Sequence, residues 1–246
     1  MVLAYYDFAR GADEIADSAA LSEAEKLAQL GKLAEGLDEM RPAASLPQWA
    51  QAYMACVRAG QANPKHGQEL LRAFKQDASQ SRYDSIKDVL DYCRYSAVPV
   101  GRMVLDACGE KSANQEAADA LCSLLQLLNH AQDMQKDYET LDRIYLPQHW
   151  MAECKAEERT LSAKRLSPEL RAVYALWLNE CARLLEISRP LAKSIKCKRL
   201  RLELRLIGQI AARLLRKLER NDPLAKRVKL SRIDYTVCVI RAMAGL

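Results

Sequence analysis

In QLLNHAQDMQKDYETLDRIY, residues 126–145, the polar residues Gln126, Asn129, Asp133 and Asp137 stand at offsets 0, 3, 7 and 11. At about 3.6 residues per turn these offsets fall on one narrow face of an α-helix. The face carries two carboxylates, two amides and no hydrocarbon. A globular helix normally turns apolar residues inward and scatters its charges outside. A four-turn stripe of short acids and amides suits a divalent cation better than a core. Hard cations such as Mg²⁺ take oxygen ligands, usually one or two carboxylates, and let substrate phosphates complete the shell.

The spacing alone is weak. With 32 Asp+Glu in 246 residues, roughly four acid-xxx-acid pairs arise by chance. A second stripe near the start strengthens it. In YDFARGADEIAD, Tyr6, Arg10, Asp13 and Asp17 stand at offsets 0, 4, 7 and 11 and share one helix face. Two facing helices that each offer D-x-x-x-D make a cleft that holds a diphosphate through bridging Mg²⁺. The bland reading, two solvated helix faces, stays open at this point.

Composition supports long helices. Half the residues are hydrophobic, 28% are charged, and only nine Gly and eight Pro interrupt the chain. The pattern predicts an all-α fold with helices over 2–17, 21–39, 48–60, 66–77, 85–108, 113–139, 169–192, 199–220 and 232–244. Ser22 with Glu25 is a capping box. Arg41-Pro42 and Pro47 mark a connection. Pro99 is expected to kink one long central helix. Residues 148–165 read as irregular. No strand pattern and no internal repeat stand out.

Several function classes lose support. There is no G-x-G-x-x-G and no P-loop, so no nucleotide cofactor is expected. The eight Cys include no C-x-x-C, which fits reduced core thiols in a cytoplasmic protein. The three His show no metal spacing, and His130 lies off the acidic stripe. No apolar run is long enough to cross a membrane, and early acids argue against a signal peptide. Charge is divided unevenly. Residues 1–188 carry 21 Lys+Arg against 28 Asp+Glu, whereas residues 189–246 carry 16 against 4. This basic end reads as a solvated face or as peripheral contact with an anionic membrane. Nucleic acid is not expected, because Tyr235 is its one aromatic residue.

Three motifs in order, FARGADEIAD, YCRYSAVPVGR and NHAQDMQKDYETLDRIYLP, resemble the squalene/phytoene synthase family. The family's usual central pattern is Y-C-x-x-V-A-G-x-V-G. Here Tyr92-Cys-Arg-Tyr-Ser-Ala-Val-Pro-Val-Gly101, with LLRAFKQD upstream, is similar to the bacterial hydroxysqualene synthase branch of hopanoid biosynthesis. The resemblance covers most of the chain and weakens beyond about residue 150.

The resemblance implies an isoprenoid-synthase-type helical bundle around a central hydrophobic cleft, in one domain spanning residues 1–246. It implies Mg²⁺ (or Mn²⁺) held by Asp13 and Asp17 on one helix and by Asn129 and Asp133 on another. It places Tyr6, Arg10, Gln126, Arg143 and Tyr145 around the diphosphate. Tyr92 matches a tyrosine that works as acid/base or faces a carbocation, and Asp137 completes the acidic motif as the second catalytic residue. The implied substrate is a prenyl diphosphate, presqualene or farnesyl diphosphate. The branch reaction turns presqualene diphosphate into hydroxysqualene at a cytoplasmic site, peripheral to the inner membrane.

The chain also departs from the family pattern. It begins at the family's second helix. Glu14 stands where Asp is frequent, and Gln132 stands where related synthases place arginine. A synthase that condenses two prenyl diphosphates, and a non-catalytic helical binding protein, are the competing readings.

Overall fold

A computed structural model describes residues 1–38 and 45–245. Arg41-Pro42, the first half of the expected connection, lies outside the described residues. The regular secondary structure of the described residues is helical, with no strand among them, as the periodicity predicts. One isolated bridge joins Arg82 and Ile144. Chain contacts divide the protein into two compact units, Met1–Gln80 with Tyr92–Lys111, and Ser81–Asp91 with Ser112–Leu246.

In the first unit, α1 (Val2–Ala16), α2 (Glu23–Asp38), α3 (Gln48–Arg58) and α4 (Pro64–Ser79) pack around aromatic side chains. Phe8 and Tyr5 of α1 are buried. Tyr5 meets Tyr53 edge-on, with ring centroids 5.2 Å apart, and donates its hydroxyl to the His66 carbonyl at 3.2 Å. Gly11 sits against the Trp49 ring, where a side chain would overlap the indole. The Ser22–Glu25 box forms as expected, with Ser22 N–H 2.8 Å from Glu25 Oε2.

The central segment is two helices rather than one kinked helix. They are α5 (Ile86–Ser96) and α6 (Val98–Ala107), separated at Ala97, whose φ and ψ are −122° and −43°. Pro99 explains the break. It has no N–H for the carbonyl four residues back, and its ring crowds that carbonyl. It therefore occupies the first turn of a new helix, where the missing donor costs nothing.

In the second unit, α7 (Gln115–Leu141) is 27 residues and so about 40 Å long. Asn114 caps its start by accepting from Ala117 N–H, and Asp142 ends it in the left-handed region at φ 48°. Residues 148–165, expected to be irregular, contain α8 (Gln148–Glu153) and a 3₁₀ turn at Glu158–Ser162. Both are too short to show a reliable period. The expected helix over 169–192 also divides, at Arg189-Pro190, into α9 (Pro168–Ser188) and α10 (Leu191–Ser194). Trp177 of α9 donates to the Leu127 carbonyl of α7 at 3.0 Å. Helices α11 (Lys198–Arg220) and α12 (Arg232–Ala244) complete the unit. A capping box of Ser231 and Asp234 starts α12. Asp234 is then held by Arg213 and Lys217 of α11 at 2.8 and 2.5 Å.

Candidate active site

In the first unit, the stripe on α1 forms as its spacing predicts. Tyr6, Arg10 and Asp13 are exposed, and Asp17 is the half-buried C-cap of the helix. Arg10 pairs with Glu14 at 3.1 Å, one turn along. The same unit holds Tyr92 of α5. Its ring is buried, and its hydroxyl donates to Asp77 Oδ2 of α4 at 2.9 Å. That contact was not read from the sequence. Asp77 lies in LLRAFKQD, but fifteen residues and a loop separate it from Tyr92.

In the second unit, Gln126 is half-buried and Asn129 exposed on α7. Asp133 is largely covered, at 13% side-chain exposure, and accepts from Arg227 at 2.7 Å. The neighbouring Gln132 reaches the Val228 carbonyl at 2.5 Å. The segment between α11 and α12 is thereby tied to the acid stripe. Nothing in the sequence pointed to Arg227, one cation in a basic stretch 94 residues away.

Beneath the stripe lies a layer of rings. Tyr145 stacks on His130 with centroids 3.5 Å apart, and on Tyr83 at 5.5 Å. Arg143 is buried and donates to the Tyr145 hydroxyl at 3.3 Å. His130 Nδ1 lies 3.9 Å from Asp137 Oδ2. Burial pushes the His130 pKa down against the pull of Asp137, which favours the neutral imidazole. His130, Arg143 and Tyr145 line a cavity of about 10 Å³, room for a single water. His130 thus supports the stripe from behind.

Each stripe carries donors of a kind that Mg²⁺ accepts: carboxylates at Asp13 and Asp17 on α1, and on α7 carboxylates at Asp133 and Asp137 with an amide oxygen at Asn129. Among the described residues, no group of three or more His, Cys, Asp and Glu is placed to hold a metal ion. No helix among the described residues is long and apolar enough to cross a membrane.

Comparison with known proteins gives the site its context. The squalene/phytoene synthase family model matches residues 1–234. The hydroxysqualene synthase of Rhodopseudomonas palustris is 39% identical over all of this chain and 83% of that protein. The hydroxysqualene synthase of Sinorhizobium fredii is 38% identical over the same shares. Among solved structures, the squalene synthase HpnC from Alicyclobacillus acidocaldarius superposes with a TM-score of 0.72 at 27% identity. That match covers 88% of this chain and 82% of the other. A dehydrosqualene synthase solved with a ligand shares the fold, with a TM-score of 0.77 at 21% identity over 99% and 85% of the two chains. The fold is therefore that of the squalene-synthase-type isoprenoid enzymes, and the chain belongs to the squalene/phytoene synthase family.

Proposed function

We propose that this enzyme, whose family carries out prenyl diphosphate chemistry, converts presqualene diphosphate to hydroxysqualene in the presence of Mg²⁺ or Mn²⁺. The observation that carries the reading is identity of 35% or more, over the whole chain, to three hydroxysqualene synthases. Both acid stripes are intact in this chain.

Asp13, Asp17, Asn129 and Asp133 are the proposed metal ligands. When bound, the cation neutralises charge on the departing diphosphate. Arg10 and Arg227 add charge-assisted donors, and Tyr6 and Gln126 add neutral ones. Arg227 is at hand because it already partners Asp133, and a phosphate oxygen exchanges with that carboxylate. Arg143 and Tyr145 act from below, holding the ring layer under Asp137.

The allylic-like C–O bond breaks and diphosphate leaves with the electron pair. The cyclopropylcarbinyl cation rearranges, and water adds to it. Tyr92 offers a π face to the cation. Its O–H is given to Asp77, which links the Tyr92 oxygen to a carboxylate base. The proton passes to Tyr92 as Tyr92 passes its own to Asp77. One water is consumed, and diphosphate and one proton are released. No hydride donor is required.

The basic segment 189–246 rests on an anionic membrane in this reading, close to an apolar substrate. Product analysis tests the chemistry. Presqualene diphosphate is expected to give hydroxysqualene as the extracted lipid. Turnover of farnesyl diphosphate alone, with no use of presqualene diphosphate, would replace this assignment with a condensing synthase.

A further inference from the structure

A second recess lies in the second unit, away from the acid stripe. It is a cleft of about 530 Å³ between α9, α10, α11 and α12, with Leu121 of α7 in its wall. Leu121 precedes Asp133 by twelve positions on one helix, about 18 Å along its axis. The volume is in the range of a small-molecule site.

Its lining is amphiphilic and one-signed. Leu185, Leu191, Leu204 and Ala212 supply hydrocarbon. Lys193, Arg205, Arg216 and Arg241 supply charge, and none of the described residues that line the cleft is acidic. Arg189, the fifth cation, pairs with Glu186 at 2.8 Å. The other four have no ion pair among the described residues. Four like charges around one recess repel each other unless an anion joins them. Gly208 also lines the cleft, and a side chain added there would meet no atom within 4 Å. The space beside it is open.

The helix that supplies Arg241 also carries an uncovered apolar face. Ile233, Ile240 and Met243 stand at offsets 0, 7 and 10 on α12 and are 74%, 61% and 71% exposed. A free phosphate would satisfy the cations and leave this face wet. A bilayer satisfies both, because headgroup and hydrocarbon arrive together.

We infer that this cleft binds the phosphate headgroup of an anionic phospholipid, with the α12 face dipping into the bilayer beside it. The inference rests on the membrane reading above and names the site at which that contact is made.

The test is co-sedimentation with phosphatidylcholine vesicles, with and without phosphatidylglycerol. Three variants are compared with the wild type: Arg205→Gln with Arg241→Gln, Gly208→Phe, and Lys196→Gln with Lys198→Gln and Arg199→Gln. Far-UV circular dichroism confirms that each is folded. Each basic residue near an anionic surface is worth a factor of about five. The Arg205/Arg241 pair is therefore expected to lose roughly thirtyfold in affinity for phosphatidylglycerol vesicles. Gly208→Phe, which changes no charge, is expected to lose about tenfold by filling the cleft. Wild-type binding with Gly208→Phe unchanged would overturn the cleft as the headgroup site and leave membrane contact standing. Loss confined to the Lys196 triple variant would do the same. No binding of phosphatidylglycerol vesicles by the wild type would overturn the membrane reading as well.

Discussion

On α1, Arg10 closes on Glu14 one turn away, and both side chains are more than 60% exposed. On α7, Asp133 is 13% exposed and closes on Arg227, which comes from the loop before α12. The two stripes repeat nearly the same offsets, yet their surroundings differ. The α1 stripe is a polar face with a local ion pair, of a kind that contributes little in water. The α7 stripe is anchored from two sides: Arg227 of the α11–α12 connection reaches Asp133, Gln132 bonds to that same connection, and the stack of His130 and Tyr145 lies underneath. Spacing sets which face a side chain shares. Burial and remote partners set how firmly it is held.

The largest expected effect treats the stripes alike. Asp13→Ala and Asp133→Ala each remove a proposed metal ligand, and several kcal/mol of transition-state stabilisation corresponds to roughly a thousandfold in turnover. Diphosphate release measures the loss, and far-UV circular dichroism is expected to stay unchanged. A matching fall in helical signal would make the carboxylates structural.

The next effect separates the stripes. Arg227→Gln is expected to lower kcat/KM by about a hundredfold, as removal of a single well-placed charge donor does. Glu14→Gln, which breaks only the exposed pair on α1, is expected to change it by less than about twofold. Equal effects would mean that the α7 stripe is no more dependent on its partner than the α1 stripe.

Smaller effects belong to the frame. Ser231→Ala removes the α12 cap and is expected to cost about 1 kcal/mol, or about 2–4 °C in Tm. Calorimetry checks it. Asp234 gives a pH dependence of stability. The Lys217 ammonium, with hydrogen bonds from Ser231 and Arg213, holds its carboxyl well below the usual carboxylate range. A depressed folded-state pKa stabilises above the unfolded value, so this contribution is present at neutral pH. It is lost as pH falls below the ordinary range of aspartate. Asp234→Asn is expected to flatten the acid side of the Tm profile and leave its shape above pH 6 unchanged.

Much of the fold was legible because it is helical and periodic. Residues 232–244 were expected as a helix, and α12 has those bounds. The break in the central segment is not legible at Pro99, which from sequence alone predicts only a kink. A proline in the first turn of a helix and one in mid-helix look alike until the backbone is seen. Both acid stripes were legible because each is local to one helix. Asp77 and Arg227 were not, because their partners Tyr92 and Asp133 meet them only through tertiary packing. His130 is expected off the stripe, yet its Nδ1 lies 3.9 Å from Asp137 and its ring stacks on Tyr145, a contact that depends on how the chain turns after α7.

The most direct test of the central claim is diphosphate release from presqualene diphosphate by the purified protein, first after chelation and then with Mg²⁺ restored. The account predicts release only with the divalent cation, and about a thousandfold slower release from Asp13→Ala or Asp133→Ala at the same cation concentration. Release at an undiminished rate under chelation, or from either variant, would contradict it.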